Sequence, residues 1–138
     1  MNKFLTLSFL PTNRDVALLL LRLGFGGYMI AAHGMPKLLS FAKRKDSFPD
    51  PLGLSSPVSL GFTVGAEVIA AAFLVLGLFT RLSAAALIFT MGVAFFTIHS
   101  GIFIGEGNGE LAMVYLLAYL VIFVAGAGKY SIDGKLGA

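Results

Sequence analysis

The chain has 138 residues, of which 57% are hydrophobic and only 12% are charged, and its mean hydropathy is +0.89. Soluble domains carry about 25% charged residues, so this composition indicates an integral membrane protein, and the length suits one domain. The absence of cysteine excludes disulfides, thiol redox chemistry and cysteine-bound iron–sulfur clusters. The net charge of +3 comes mostly from loops and tails that meet lipid, and no basic face suits nucleic acid.

The N-terminal segment does not match a signal peptide. Lys3 precedes an apolar stretch over residues 4–10, but this stretch is too short and no small-residue cleavage site follows it. Pro11, Arg14 and Asp15 separate it from the first long apolar run. We interpret residues 1–14 as a retained lead-in at the membrane interface.

Four apolar runs predict four transmembrane helices, and a polar tail follows them. The predicted helices cover about residues 16–34, 58–79, 82–103 and 109–127, and the tail covers residues 128–138. Each run is close to the roughly 20 residues that cross a bilayer. Asp15 is the predicted N-cap of the first helix, Pro36 marks its end, and Pro57 precedes the second helix.

Very short connections join the later helices. Thr80 and Arg81 separate the second helix from the third, so these two helices are expected to be antiparallel neighbours. Because backbone polar groups in lipid must be satisfied within the segment, the predicted fold is all-α. It is an integral membrane antiparallel four-helix bundle, formed by one transmembrane domain over residues 1–138. Glycines at positions 24, 26, 27, 61 and 65 are expected to let the helices of the chain pack closely, and the alternative is a motif that joins two copies of the chain.

The first connection, over residues 35–57, has two halves. Basic and apolar residues are mixed over residues 37–45, which is typical of a short amphipathic segment on the membrane surface, and the alternative is a plain connector. Prolines and a glycine follow, which indicates an extended or turned second half. In this topology the side that holds both termini carries five basic residues and the opposite side four, which favours cytoplasmic termini.

Ionisable residues inside the apolar runs point to function. These residues are Arg22, His33, Glu67 and His99. A charged side chain at the bilayer centre costs roughly 2.5–3.5 kcal/mol on insertion scales. Arg22 and His33 lie eleven residues apart, which places them on one helix face with Lys37 continuing the line. Glu67 lies near the midplane, within about two helical turns of Arg22 in depth, so we predict that it is the counter-ion of Arg22.

These residues and their neighbours form a candidate ligand-binding site or polar core, and two interpretations stay open. The charges either form an ion pair that only specifies the fold, or they line the floor of a ligand cavity. His33 and His99 either bind a polar head group or bond to neighbours, and the tyrosines either bond into the polar core or pack. The whole set is Arg22, His33, Lys37, Glu67, His99, Glu110, Tyr115 and Tyr119.

No metal site and no catalytic residue are predicted. His33, Glu67, His99 and Glu110 would lie on different helices, but they lack the tight spacing of a metal-binding motif. The glycines at 105, 107 and 109 lie between membrane helices and not after a strand, which excludes a nucleotide-binding loop.

Several short motifs, taken together, resemble the DoxX family of small membrane proteins. In chain order they are Arg22, His33-Gly34, Lys37-Leu38, Gly65-Ala66-Glu67, the run 77–81, Glu110 and the run 126–133. The resemblance covers about residues 16–133, and Ala127 stands where the family usually has proline. It implies a four-helix protein of a prokaryotic cytoplasmic membrane. Relatives include the small membrane subunit associated with thiosulfate:quinone oxidoreductase and a member in a complex with superoxide dismutase and a thiol-redox protein.

Three functions follow as hypotheses. The first is the membrane subunit of a quinone-linked oxidoreductase or redox-stress complex, in which Arg22 and Glu67 line a cavity and His33 and His99 bond to quinone carbonyls or relay protons. The second is a non-catalytic scaffold that docks a redox protein through residues 37–45. The third is a carrier of protons or of a small lipophilic molecule, suggested by Glu67 at the midplane. Lipid is the expected partner in all three, and a redox protein or a second copy of the chain is expected beside it.

Overall fold

The computed structural model describes residues 2–137, and this part of the chain is helical with no strand. Four long helices dominate, and three short ones lie in the N-terminal segment, the first connection and the tail. The helices are α1 (Lys3–Thr6), α2 (Arg14–Leu39), α3 (Phe41–Arg44), α4 (Ser56–Leu76), α5 (Thr80–Ile98), α6 (Glu110–Ala125) and α7 (Ile132–Leu136). The all-α prediction is confirmed. Helices α2, α4 and α5 are long and apolar enough to cross a membrane, whereas α6 is apolar but has only 16 residues.

Three of the long helices contain π-helical turns. They cover Arg22–Gly26 and Met29–Gly34 in α2, Gly65–Ala70 in α4, and Ala94–Ile98 in α5. Such turns are wider than α-helical ones and are frequent at functional sites. Here they include Arg22, His33 and Glu67, so they change the direction in which these side chains point.

The helix boundaries differ from the predicted ones. Asn13 and not Asp15 caps the first long helix, because the Asn13 side chain accepts the N–H of Val16 at 3.1 Å. Pro36 does not end the first long helix, which continues to Leu39. Proline lacks the N–H donor and clashes with the carbonyl four residues earlier, and the wider π-helical turn over Met29–Gly34, directly before it, gives the ring more room. The second long helix ends at Leu76 instead of residue 79, because Gly77 adopts a left-handed φ of +67°. The third ends at Ile98 and not at residue 103.

Helices α2 and α4 approach each other closely at two glycines of α2. A Cβ at Gly26 would lie 2.7 Å from a methyl of Val75, and one at Gly34 would lie 2.7 Å from the carbonyl oxygen of Glu67. Residues later in α2 therefore contact residues earlier in α4, as expected for helices that run in opposite directions. The antiparallel four-helix bundle as a whole stays a prediction.

Other glycines do not have the predicted packing role. Gly61 and Gly65 of α4, and Gly24 and Gly27 of α2, have no neighbouring atom within 4 Å of a Cβ built on them. The interpretation that all five glycines let the helices of the chain pack closely is therefore wrong, and it holds only for Gly26 among them. The alternative, contact with a second copy of the chain, stays a prediction. The open glycines instead lie on outward faces or line a cavity.

The buried core joins α2, α4, α5 and α6. Its fully buried side chains include Met29, Leu74, Leu87, Phe95, Tyr119 and Ile122. Many apolar side chains on the outer faces of the same helices are exposed, as expected for a surface that contacts acyl chains. The core lies at the helix contacts, and the polar groups described below lie on either side of it.

The first connection is an ordered turn structure. Its first half contains the end of α2 and the short helix α3, and its position on the membrane surface stays a prediction. In the second half, the carboxylate of Asp50 accepts hydrogen bonds from the backbone N–H groups of Leu54 and Ser55, at 2.8 Å each, and from the Ser59 hydroxyl at 2.7 Å. The Ser59 bond and the backbone bonds outweigh desolvation, so the pKa of Asp50 lies below its ordinary value. Asp50 thereby holds the loop against the start of α4.

Candidate functional site

Among the described residues there is one ion pair, between Lys37 of α2 and Glu67 of α4. Lys37 Nζ lies 2.6 Å from Glu67 Oε2, and Lys37 also donates to the carbonyl of His33 at 3.5 Å. The Lys37 side chain is 20% exposed and the Glu67 side chain only 4%. The tight contact at Gly34, three residues before Lys37, lets the two helices approach closely enough for the pair to form.

Arg22 does not pair with Glu67, and that prediction is wrong. The Arg22 side chain is buried, and its guanidinium donates to the carbonyls of Leu74 at 3.2 Å and Tyr130 at 2.7 Å. It also donates to the carbonyls of Ala127 and Val75. Residues 74 and 75 lie about two helical turns beyond Glu67, roughly 10–12 Å along α4. The Leu74 carbonyl also accepts the backbone N–H of Gly77 at 3.1 Å, so Arg22 adds a further hydrogen bond at the C-terminal end of α4.

The segment over residues 126–133 completes this arrangement. The Asp133 carboxylate accepts hydrogen bonds from the backbone N–H groups of Phe79 at 2.9 Å and Thr80 at 2.8 Å, at the start of α5. Burial raises the pKa of Asp133, but the hydrogen bonds from Thr80 and Phe79 and the charge of Arg22 outweigh it, so the pKa lies below its ordinary value. Arg22 and Asp133 therefore tie α2, α4 and α5 to the tail, which is a structural role.

A cavity of about 1070 Å³ lies along α4 and α5 and extends to residues 48–54 of the first connection. Apolar side chains make most of its lining, and Gly61 and Gly65 face it. The lining includes Phe48, Leu52, Phe62, Ile69, Phe73, Leu82, Phe89, Met91 and Ile98. Four hydroxyls also line it, but each one donates to an oxygen of the protein: Ser59, Thr63, Ser83 and Thr90. Lys37 and Glu67 are the charged residues in the lining.

One carboxylate oxygen of Glu67 is available to a ligand. Oε2 binds Lys37, whereas Oε1 has no hydrogen-bond partner among residues 2–137. Among the described residues, Thr80 Oγ1 is the only side-chain polar atom that is both fully buried and without a hydrogen-bond partner. Glu67 Oε1 also has no partner, so it is not fully buried and reaches accessible space. Glu67 also lies about midway along the part of α4 that lines the cavity. The site thus offers an acceptor at Glu67 and, beside it, the ammonium of Lys37.

Aromatic packing surrounds His33. Its ring lies edge-on to Tyr115, with centroids 5.5 Å apart, and Tyr115 makes the same kind of contact with Phe25. Tyr119 is fully buried, and its hydroxyl donates to the carbonyl of Phe25 at 3.2 Å. For Tyr115 the packing interpretation therefore applies, and Tyr119 bonds to the backbone and not to Glu67.

His99 and Glu110 lie apart from the ion pair. His99 follows the end of α5, and its Nδ1 lies 2.8 Å from the carbonyl oxygen of Gly107. Glu110 is exposed at the first residue of α6. Of the eight predicted site residues, Lys37 and Glu67 are in direct contact. His33 lies beside them, since its carbonyl accepts a hydrogen bond from Lys37. Residues 2–137 contain no group of three or more His, Asp or Glu side chains suited to a metal ion.

The sequence analysis allowed for a ligand cavity but placed it wrongly: Glu67 lines the cavity of the structure, whereas Arg22, His33 and His99 do not. It also missed the loop that borders the cavity. Phe48, Pro49, Pro51, Leu52 and Leu54 of the first connection line one part of it. The alternation of prolines with apolar residues over 48–54 was a usable signal, because a solvated connector has little reason to carry phenylalanine and leucine. The same segment was interpreted only as an extended or turned connection.

Comparison with known proteins gives the family match. Residues 17–100 match the model of the DoxX family. One relative, an uncharacterized protein of Haemophilus influenzae, is 33% identical over 96 residues, which are 67% of this chain and 64% of the relative. The chain thus covers less than two thirds of that relative. A second uncharacterized protein of the same organism is 33% identical over 120 residues, which are 78% of this chain and 82% of the relative. No solved structure matches.

Proposed function

The chain belongs to the DoxX family, and we propose that it binds a membrane quinone in the cavity along α4 and α5 as the membrane subunit of a quinone-linked oxidoreductase. The observation that carries the proposal is an apolar cavity whose charged lining residues are one ion pair, Lys37 with Glu67. In this function the chain binds and orients the quinone, and a partner subunit exchanges the electrons.

The size and lining of the cavity fit a ring with an isoprenoid tail. Ligand sites are usually about 300–1,000 Å³ and mainly apolar, with a few placed polar groups. This cavity has about 1070 Å³ and follows the length of two membrane helices, so a tail can lie along them while the ring reaches the polar groups. Gly61 and Gly65 remove side-chain volume from the α4 face, which leaves room for a flat ring.

The ion pair suits the polar ends of both redox forms of a quinone. The Lys37 ammonium has three N–H donors, of which one binds Glu67 and one points to the carbonyl of His33. A quinone carbonyl accepts the remaining donor. A quinol hydroxyl donates to Oε1 of Glu67, which has no protein partner in the described chain. The apolar surroundings strengthen both bonds, because water does not compete for them.

The remaining expectations belong to the same proposal. The subunit lies in a prokaryotic inner membrane with both termini in the cytoplasm, beside a redox partner protein or a second copy of the chain. Residues 14–22, 77–81 and 124–133 contact one another at one end of the molecule, which supports a common side for both termini. The ion pair and the first connection lie at the other end, so the quinone ring reaches Lys37 and Glu67 from that end.

The binding test compares two glycine substitutions of the same size. In Gly65→Leu the new side chain enters the cavity, whereas in Gly24→Leu it enters a separate shallow depression on the outer face of α2, and neither meets an atom near the backbone. Binding of an isoprenoid quinone to the purified protein in mild detergent is measured by calorimetry. We expect binding to the wild type and to Gly24→Leu, and at least a tenfold loss in Gly65→Leu, the equivalent of about 1.4 kcal/mol.

Three outcomes separate the hypotheses. Equal binding to both variants would place the quinone elsewhere and reject the cavity. No binding to the wild type, with a protein partner that still co-purifies, would favour the scaffold function. Binding without any effect on quinol oxidation by the assembled complex would favour the carrier function.

A further inference from the structure

A second site lies at the opposite end of the molecule, around the C-terminal end of α6. Arg14 at the start of α2 donates from Nη2 to the carbonyl of Ala125 at 2.6 Å. Arg81 at the start of α5 points its Nη2 to the carbonyl of Val124 at 3.5 Å. Two exposed guanidinium groups from different helices therefore reach adjacent carbonyls of the same helix end.

The nearby carboxylates do not neutralise these arginines. Asp15 Oδ1 accepts the backbone N–H of Lys129 at 2.9 Å, and both oxygens of Asp133 accept backbone N–H groups. Neither carboxylate forms an ion pair with Arg14 or Arg81. Each guanidinium uses one of its two Nη groups in the bond described above, and its other N–H groups have no acceptor within residues 2–137.

Apolar surface continues from this basic end along the membrane helices. Three apolar side chains here are more than half exposed: Leu82, directly after Arg81, and Val121 and Val124, near the end of α6. Tyr130 is exposed, with Lys129 Nζ 5.0 Å above its ring. Tyrosine is enriched where the apolar core of a membrane meets the head groups. The arginines thus lie at head-group depth, above a surface suited to acyl chains.

We propose that Arg14 and Arg81 bind the phosphate of an anionic phospholipid, whose acyl chains lie on Leu82, Val121 and Val124. Guanidinium groups bind phosphate oxygens with two N–H donors each, and the bonds to the carbonyls of α6 orient both groups beforehand. The charge of the region selects a lipid with net negative charge over a zwitterionic one. Neither arginine lines the cavity, and the two sites share only Leu82. The quinone test at Gly65 and the lipid test at the arginines can therefore fail separately.

The test counts bound lipids by native mass spectrometry on the protein in neutral detergent. Phosphatidylglycerol and phosphatidylcholine with the same acyl chains are compared for the wild type, Arg14→Gln/Arg81→Gln and Lys43→Gln/Arg44→Gln. The second pair is also exposed and basic but lies in α3, so it removes the same charge from the other end. We expect phosphatidylglycerol to bind more tightly than phosphatidylcholine. The loss in the first variant should be roughly thirtyfold, the effect of two basic residues at an anionic surface, with little loss in the second.

Other results would overturn the proposal. Equal losses in both double variants would show diffuse attraction and no site, and equal binding of the two lipids would remove the charge selection. Inorganic phosphate is the third arm: if it raises the thermal stability as much as phosphatidylglycerol does, the arginines bind a free anion and not a lipid. Should the first double variant not fold, Arg81→Gln alone replaces it, because its bond to the protein is long. It is then expected to weaken phosphatidylglycerol binding about fivefold.

Discussion

The two partners of the Lys37–Glu67 pair should contribute unequally to stability. Removing one partner of a buried ion pair costs about 3–5 kcal/mol when the other charge stays buried. Glu67 is only 4% exposed, so Lys37→Met leaves a carboxylate in an apolar cavity and should cost about that much. Lys37 is 20% exposed on a flexible stem that can extend toward the membrane surface. Glu67→Gln should therefore cost only about 1–2 kcal/mol, the loss of one charge-assisted hydrogen bond.

The double variant separates the interaction from other effects. In Lys37→Met/Glu67→Gln no buried charge remains, so the protein should be more stable than Lys37→Met alone. The coupling energy should therefore exceed the cost of Glu67→Gln and reach about 2–3 kcal/mol. Unfolding is followed by circular dichroism in mixed micelles with increasing sodium dodecyl sulfate. Lys43→Met is the control, because this lysine is exposed and outside any ion pair of the described residues, and it should stay within about 0.5 kcal/mol.

Two results would refute this reasoning. If Glu67→Gln is as destabilising as Lys37→Met, the difference in burial does not control the energy of the pair. If the double variant is no more stable than Lys37→Met, the unpaired carboxylate is not the cause of the loss.

Three further predictions concern the contacts that hold the helices and the tail. Gly34→Ala should destabilise the protein by about 1–3 kcal/mol, because the new Cβ meets the Glu67 carbonyl, whereas Gly61→Ala should change little; both are read from the same unfolding curves. Tyr119→Phe should cost about 1 kcal/mol through the lost bond to the backbone, and a loss near zero would contradict it. Because the folded pKa of Asp133 is lowered, its contribution is complete above the ordinary value of about 3.9 and is lost as the pH falls below it. In Asp133→Asn the unfolding free energy should therefore be lower at pH 7, and its fall toward acid pH should be smaller than in wild type.

The helices themselves could be predicted from local sequence, but their ends could not. Hydrophobic runs long enough to cross a bilayer identify the segments, because lipid solvates any such run in the same way. The end of α2 depends on how a helix accommodates Pro36, which requires the π-helical turn before it. The end of α4 depends on Gly77, whose left-handed conformation places it beside Arg22 and Ser131 of distant segments.

An all-helical membrane protein of the DoxX family, with several ionisable residues in its helices, follows from composition and from the order of motifs. Neither of these depends on how the helices face each other. The partners of Glu67 and Arg22 could be identified only from the folded chain, in which Glu67 pairs with Lys37 and Arg22 binds carbonyls at the end of α4. Hydrogen bonds act over about 3 Å, and π-helical turns change the direction of the side chains that follow them, so helix spacing alone cannot choose between partners.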